Sequence, residues 1–213
     1  MALDITLYDV TLRYNAPLLA SQPSNPDLFD RFIASKQPED LSDEQRDEEK
    51  ACSPKEGEGQ AGYTVFSKDS DGSNFLWAFS IKGYLKEAAR TIKSHSGLKN
   101  LRDRINRYVT VIPPKIRLPE VAGTIQRPLL TNSMGFPRVC LAKSDFVPEG
   151  TEVSFTLRVM DGGGVTEELL RDVLEYGENF IGMGCWRTTG YYGQFSVIKF
   201  VKVKNKKKKL LQD

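Results

Sequence analysis

Apolar residues recur at every second position in the opening stretch: Leu3, Ile5 and Leu7, then Val10, Leu12 and Tyr14, with one slip of phase near Tyr8-Asp9. Period two marks a strand with one face in a core, so residues 3–13 predict a first strand. The slip suggests a bulge, or a strand buried on both faces. Asn15-Ala16-Pro17 ends it. Strict alternation returns at Val153, Phe155, Leu157 and Val159, a second clear strand. Further β-rich runs lie at 63–67, 108–112 and 138–142. A last strand opens at Phe195, with Val197, Phe200 and Val201 among its apolar positions.

Two stretches carry the helical period instead. Ile81, Leu85, Ala88, Ala89 and Ile92 predict a helix over 81–94 with Ser80 at its N-cap. Leu169, Leu170, Val173 and Leu174 predict another over 167–176, capped by Thr166 and closed by Gly177. Shorter helical pieces are expected at 27–33 and 98–106. Turn-forming residues mark 69–74, 131–135 and 147–151, and 116–130 reads as extended chain punctuated by proline. With insertions set aside, the order is strand, helix, strand, strand, helix, strand. That predicts one α+β domain over 1–213 with a ferredoxin-like (RRM-like) β-α-β-β-α-β core, an order that RNA-recognition folds also use. A long insertion at 37–62 follows the first strand. A second, at 113–150, separates core strands 2 and 3.

Composition narrows the class. Hydrophobic content of 39% and charged content of 27% describe a globular chain rather than a disordered one. No apolar run approaches the roughly 18–20 residues of a membrane span, and no leader opens the sequence, so no membrane partner is expected. Three scattered cysteines (Cys52, Cys140, Cys185) imply neither a disulfide framework nor a zinc site and fit a reducing, cytoplasmic compartment. The net charge of +2 conceals an asymmetry. Residues 39–58 hold nine acidic and three basic residues, a net of −6, which leaves +8 for the remainder. The 37–62 insertion is thus acidic and almost devoid of apolar residues, and is expected to be mobile. A basic tail occupies 204–213. A basic body of this kind attracts a polyanion.

The chemistry concentrates in residues 182–195, Gly-Met-Gly-Cys-Trp-Arg-Thr-Thr-Gly-Tyr-Tyr-Gly-Gln-Phe. Gly182, Gly184, Gly190 and Gly193 let a backbone come close to a partner. Trp186, Tyr191 and Tyr192 offer flat faces for bases, and Arg187 a fork of donors for phosphate. A second candidate region is the first helix, with Lys82, Lys86 and Arg90. Lys82 lies near the helix N-terminus, where a cation opposes the macrodipole, so an anion beside the free N–H groups is expected there. Catalytic candidates are weaker: His95, the only histidine, and Asp27 or Asp30. No nucleophile–base or metal-ligand spacing stands out, and no cofactor is expected.

Three stretches together resemble the RAMP superfamily, the RNA-binding subunits and processing nucleases of CRISPR systems. Phe79-Ser80-Ile81-Lys82-Gly83-Tyr84-Leu85-Lys86 resembles the signature that opens the family's first helix. Phe146-Val147-Pro148-Glu149-Gly150-Thr151 resembles the passage into its third core strand, and 182–195 resembles its C-terminal glycine-rich loop. Ala78 or Phe79 stands where the helix signature has its first glycine, and Tyr191-Tyr192-Gly193 has one residue more than the loop pattern. The likeness is greatest to backbone-type subunits that polymerise along guide RNA. It implies single-stranded RNA as ligand, with Lys82 and Arg187 near the RNA backbone. It also implies a thumb-like insertion at 113–150, and self-assembly or other effector subunits as partners. Some such subunits cut target RNA with an aspartate after the first strand, which would make Asp27 or Asp30 the counterpart. Two other readings stand beside this one: an endoribonuclease, metal-dependent or not, and a virus-encoded protein that imitates or binds a CRISPR subunit.

Overall fold

The computed structural model describes residues 4–25, 62–92, 99–133 and 136–203. Asp27, Asp30, His95, the expected 27–33 helix, residues 37–61 of the acidic insertion and the 204–213 tail lie outside them.

The strands that alternate in sequence form the central sheet. β1 (Ile5–Tyr14) pairs antiparallel with β11 (Glu152–Met160) on one side and with β12 (Phe195–Val203) on the other. β7 (Val109–Ile112) adds antiparallel to β11, giving the strand order β12-β1-β11-β7. Register places Tyr8, Val10 and Leu12 beside Leu157, Phe155 and Val153, all buried on one face. The phase slip in β1 has a simple outcome. From Tyr8 onward the even residues face the core, while Ile5 and Leu7 are half-buried on the opposite face. The irregularity lies further on, between Thr11 and Leu12, where β1 meets β12.

Among the described residues three helices cover the buried face: α1 (Ala78–Ile92), α2 (Leu101–Tyr108) and α3 (Glu167–Phe180). α1 packs against both of the others. Its apolar stripe of Ile81, Leu85, Ala88 and Ala89 is fully buried, and burial of Ile81 and of Leu85 contributes about 1.5–3 kcal/mol each. α1 begins at Ala78, directly from strand β6 (Asn74–Trp77), so Ser80 sits inside the first turn and is not the N-cap. At α3 the cap is as expected: the Thr166 hydroxyl accepts from the Leu169 N–H at 3.2 Å.

Gly177 does not end α3. It lies within the helix, where Tyr84 of α1 crosses it, and a Cβ there would meet the Tyr84 hydroxyl at 1.9 Å. That hydroxyl donates to the Leu174 carbonyl at 2.8 Å. Gly177 is a packing notch inside the last turn; the helix runs on to Phe180, and the N–H of Gly182, five residues after Gly177, returns to the Gly177 carbonyl.

The remaining strands form two other sheets among the described residues. β2 (Leu18–Leu19), β3 (Gln22–Pro23) and β4 (Tyr63–Val65) join a long hairpin of β9 (Gly123–Ser133) and β10 (Phe136–Val147), with β4 parallel to β10. β5 (Ser67–Lys68) and β8 (Lys115–Arg117) flank β6. The chain expected as extended over 116–130 is thus divided between two sheets. β9 runs on through Ser133, where a turn was expected, because its pairing with β10 continues to Ser133 opposite Phe136.

Two glycine substitutions separate packing from propensity. Gly177→Ala should cost about 1–3 kcal/mol by overpacking against Tyr84. Gly83→Ala, in the same helical layer but with open space around it, should gain about 0.5–1 kcal/mol. Urea unfolding of both variants checks the contrast.

Candidate nucleic-acid interface

The glycine-rich loop is held by its own chain. Cys185 N–H donates to the Leu19 carbonyl at 3.3 Å, Gly193 N–H to the Pro17 carbonyl at 2.9 Å, and Met183 N–H to the Gly193 carbonyl at 2.9 Å. At Gly193, which has φ of +65°, a Cβ would lie 1.8 Å from the Met183 carbonyl oxygen. At Gly184, with φ of +80°, it would lie 2.4 Å from that of Leu19. No side chain fits either position. Two of the four loop glycines, Gly184 and Gly193, thus bring the backbone close to the chain's own Leu19, Pro17 and Met183.

Between these anchors the loop forms one short turn, α4 (Arg187–Gly190), flanked by two bulky residues in the left-handed region: Trp186 at φ 57° and Tyr191 at φ 62°. Each costs of order 1–3 kcal/mol and persists because the surroundings fix it. The result is a divergent display. Tyr191 points outward and is 70% exposed. Trp186 turns inward to meet Tyr192 at 6.1 Å between ring centroids. It also meets Arg127 of β9, whose guanidinium carbon lies 3.7 Å from the indole centroid. That is close cation–π stacking, and it occupies an indole face that the sequence offered to a base.

The cations are placed unevenly. Arg187 forms an ion pair with Glu87 of α1. Lys86 and Arg90 lie at one-turn spacing on α1 beside Glu87, Arg90 exposed and Lys86 half-buried. Lys82 is turned inward. Its ammonium donates to the Ile105 carbonyl at 2.6 Å and to the Val109 carbonyl. These are carbonyls at the C-terminal end of α2, where a cation complements the macrodipole. An anion beside Lys82 at the N-terminus of α1 was expected, whereas the partners found are backbone oxygens of a neighbouring helix. Burial first, and Lys86 second, pull its pKa from the usual 10.5 to about 8. Nearby, burial pushes the Cys185 thiol up, against the opposing pull of a hydrogen bond with Thr64 and, after it, of the Arg187 and Arg127 charges.

The opposite face of the central sheet is different. Cross-strand pairs satisfy its polar groups: Thr11 with Ser154 at 2.9 Å, Thr156 donating to Asp9 at 2.9 Å, and Arg13 with Glu152 at 2.7 Å. Among the described residues of β1, β7, β11 and β12 no aromatic ring faces that way. Stacking of bases on the sheet, the RNA-recognition mode, has no platform there. The aromatic and cationic groups gather on the loop and helix side.

Two members of this cluster escaped the sequence reading, Arg127 and Glu87. Arg127 lies in a stretch without periodicity, so nothing marked it. Glu87 follows Lys86 directly, and a carboxylate within a basic row was a legible sign that a cation would be paired.

No protein-family model and no curated protein matches the chain. Among solved structures it is similar to a chain in the cryo-EM structure of the Type III-B Cmr-beta bound to cognate target RNA. The identity is 11%, the match covers 94% of this chain and 61% of that one, and the TM-score is 0.49. The present chain therefore spans about three-fifths of that chain's length. No helix among the described residues is long and apolar enough to cross a membrane.

The inward Lys82 has a pH signature. Its folded pKa of about 8 lies below the usual 10.5. Between the two the unfolded chain holds the extra proton, and folding stability rises with pH. Wild type should therefore gain stability relative to Lys82→Met as pH goes from about 8 to about 10, measured by urea unfolding at each pH.

Proposed function

We propose that this chain is a RAMP-type RNA-binding protein that holds single-stranded RNA at the junction of α1 and the 182–193 loop. The observation that carries the reading is Tyr191. A large aromatic residue is held in the left-handed region, 70% exposed, on a loop that also presents Arg187 and lies against the basic row of α1. An outward ring beside cations is the arrangement that stacks bases and tracks a phosphate backbone. The strand order β12-β1-β11-β7, with both long helices on one face, supports reading the core as ferredoxin-like. The β9–β10 hairpin is then the thumb-like insertion. In this reading Lys82 fastens α2 to α1, and Lys86, Arg90 and Arg187 supply the phosphate contacts. Guide RNA as the strand held, and assembly of copies or other subunits along it, follow from the RAMP resemblance.

The ion pair of Arg187 with Glu87 means that RNA competes with a carboxylate for this guanidinium. Fluorescence anisotropy with labelled oligouridine tests the scheme. Wild type should bind with strong salt dependence. Tyr191→Ala should weaken binding by about 1–3 kcal/mol. Glu87→Gln should tighten it several-fold, because it frees Arg187 and removes a repelling charge. Wild-type protein without salt-dependent affinity for single-stranded RNA would refute the proposal.

A further inference from the structure

Among the described residues Arg127 is a half-buried cation of this cluster with no carboxylate partner. Its strand position is fixed by pairing of β9 with β10, opposite Ala142, and its guanidinium lies flat on Trp186. Arg187, the other guanidinium here, has Glu87. Among the described residues no carboxylate pairs with Arg127, and its Nε is buried with no hydrogen-bond partner. A half-buried guanidinium that lacks both counter-ion and full hydrogen bonding is costly unless a ligand completes it. Stacking on the indole immobilises the plane of the fork and leaves its terminal Nη donors, which no hydrogen bond among the described residues takes, for an anion, since the partner touches only the face. Gly190, the third glycine of the loop, gives it room. A Cβ at Gly190 would come within 3.3 Å of a guanidinium nitrogen of Arg127. The next residue is Tyr191, the exposed ring.

We infer that Arg127 is a phosphate ligand of the loop. Its fork takes a non-bridging phosphate oxygen of single-stranded RNA while Tyr191 takes a neighbouring base. The inference deepens the RNA-binding reading above and rests on it. It also makes the β9–β10 hairpin part of the binding site: the hairpin delivers the cation, the loop delivers the aromatic platform, and Trp186 joins them. A residue on a strand of another sheet, outside the glycine-rich loop and α1, thereby sets the position of the RNA backbone.

The test is a salt series with labelled oligouridine, read by anisotropy on wild type, Arg127→Ala, Arg127→Lys and, as a charge control on the open sheet face, Arg158→Ala. Arg127→Ala should bind roughly tenfold more weakly, with a log–log salt slope shallower by about 0.7, the loss of one phosphate contact on a single strand. Arg127→Lys should recover the slope but only part of the affinity, because a point charge replaces the stacked fork. Arg158→Ala should leave both unchanged. If wild type binds but Arg127→Ala, with a wild-type melting curve, keeps wild-type affinity and slope, the inference fails and the RNA-binding reading stands. Should Arg127→Ala fold poorly, Arg127→Lys decides: binding as tight as wild type overturns the assignment. If wild type itself shows no salt-dependent binding, both fall.

Discussion

The backbone of the 182–193 loop lies on the backbone of residues 17–19, and the candidate site depends on that contact. Gly184 touches the Leu19 carbonyl and Gly193 sits against Met183 while donating to Pro17, at distances that no side chain permits. The contact fixes both ends of the loop to Pro17 and β2, the segment that follows β1. With its ends fixed, the short turn between them has little freedom, and Trp186 and Tyr191 are held in backbone conformations that bulky residues seldom adopt. One ring goes inward and the other outward. The glycines therefore act at one remove: they fit the loop to the protein, and the fit presents the aromatic group.

The electrostatics of the region follow from which cations have found partners. Lys82 is spent on two carbonyls of the α2 end, Arg187 on Glu87, and Arg127 on the face of an indole, which neutralises nothing. Position in sequence would have ranked these three differently. Lys82 belongs to the helix signature and Arg187 to the loop signature, yet each has a protein partner, while Arg127 belongs to neither. Pairing is a property of the folded neighbourhood, and the same side chain is a structural tie or a ligand according to what lies within reach of it.

The two faces of the central sheet divide the work. One is covered by α1, α2 and α3 and forms the core. On the other, cross-strand pairs of hydroxyl, carboxylate and guanidinium groups join Thr11 to Ser154, Asp9 to Thr156 and Arg13 to Glu152. The side where helix, loop and hairpin converge carries an exposed aromatic ring beside cations, whereas the contacts of Lys115 with Phe75 and Trp77 and of Arg171 with Phe200 involve buried rings.

The sequence by itself determined the core. Alternation in β1 and β11 and the 3–4 spacing in α1 and α3 dictate burial directly, because apolar residues of one face must leave water together. Thr166 was legible as a cap for the same local reason. What it could not determine were contacts between residues far apart in the chain. Gly177 reads as a helix stop, yet Tyr84, 93 positions earlier, makes it a notch. Ser80 reads as a cap, yet β6 feeds straight into α1. Trp186 reads as a platform for bases, yet Arg127 covers one of its faces. In each case a local signal had several physically acceptable outcomes, and packing against a distant segment selected among them. Folding is what exposes Tyr191 while Trp186 packs on Arg127, and what gives Arg187 a carboxylate partner that Arg127 lacks among the described residues.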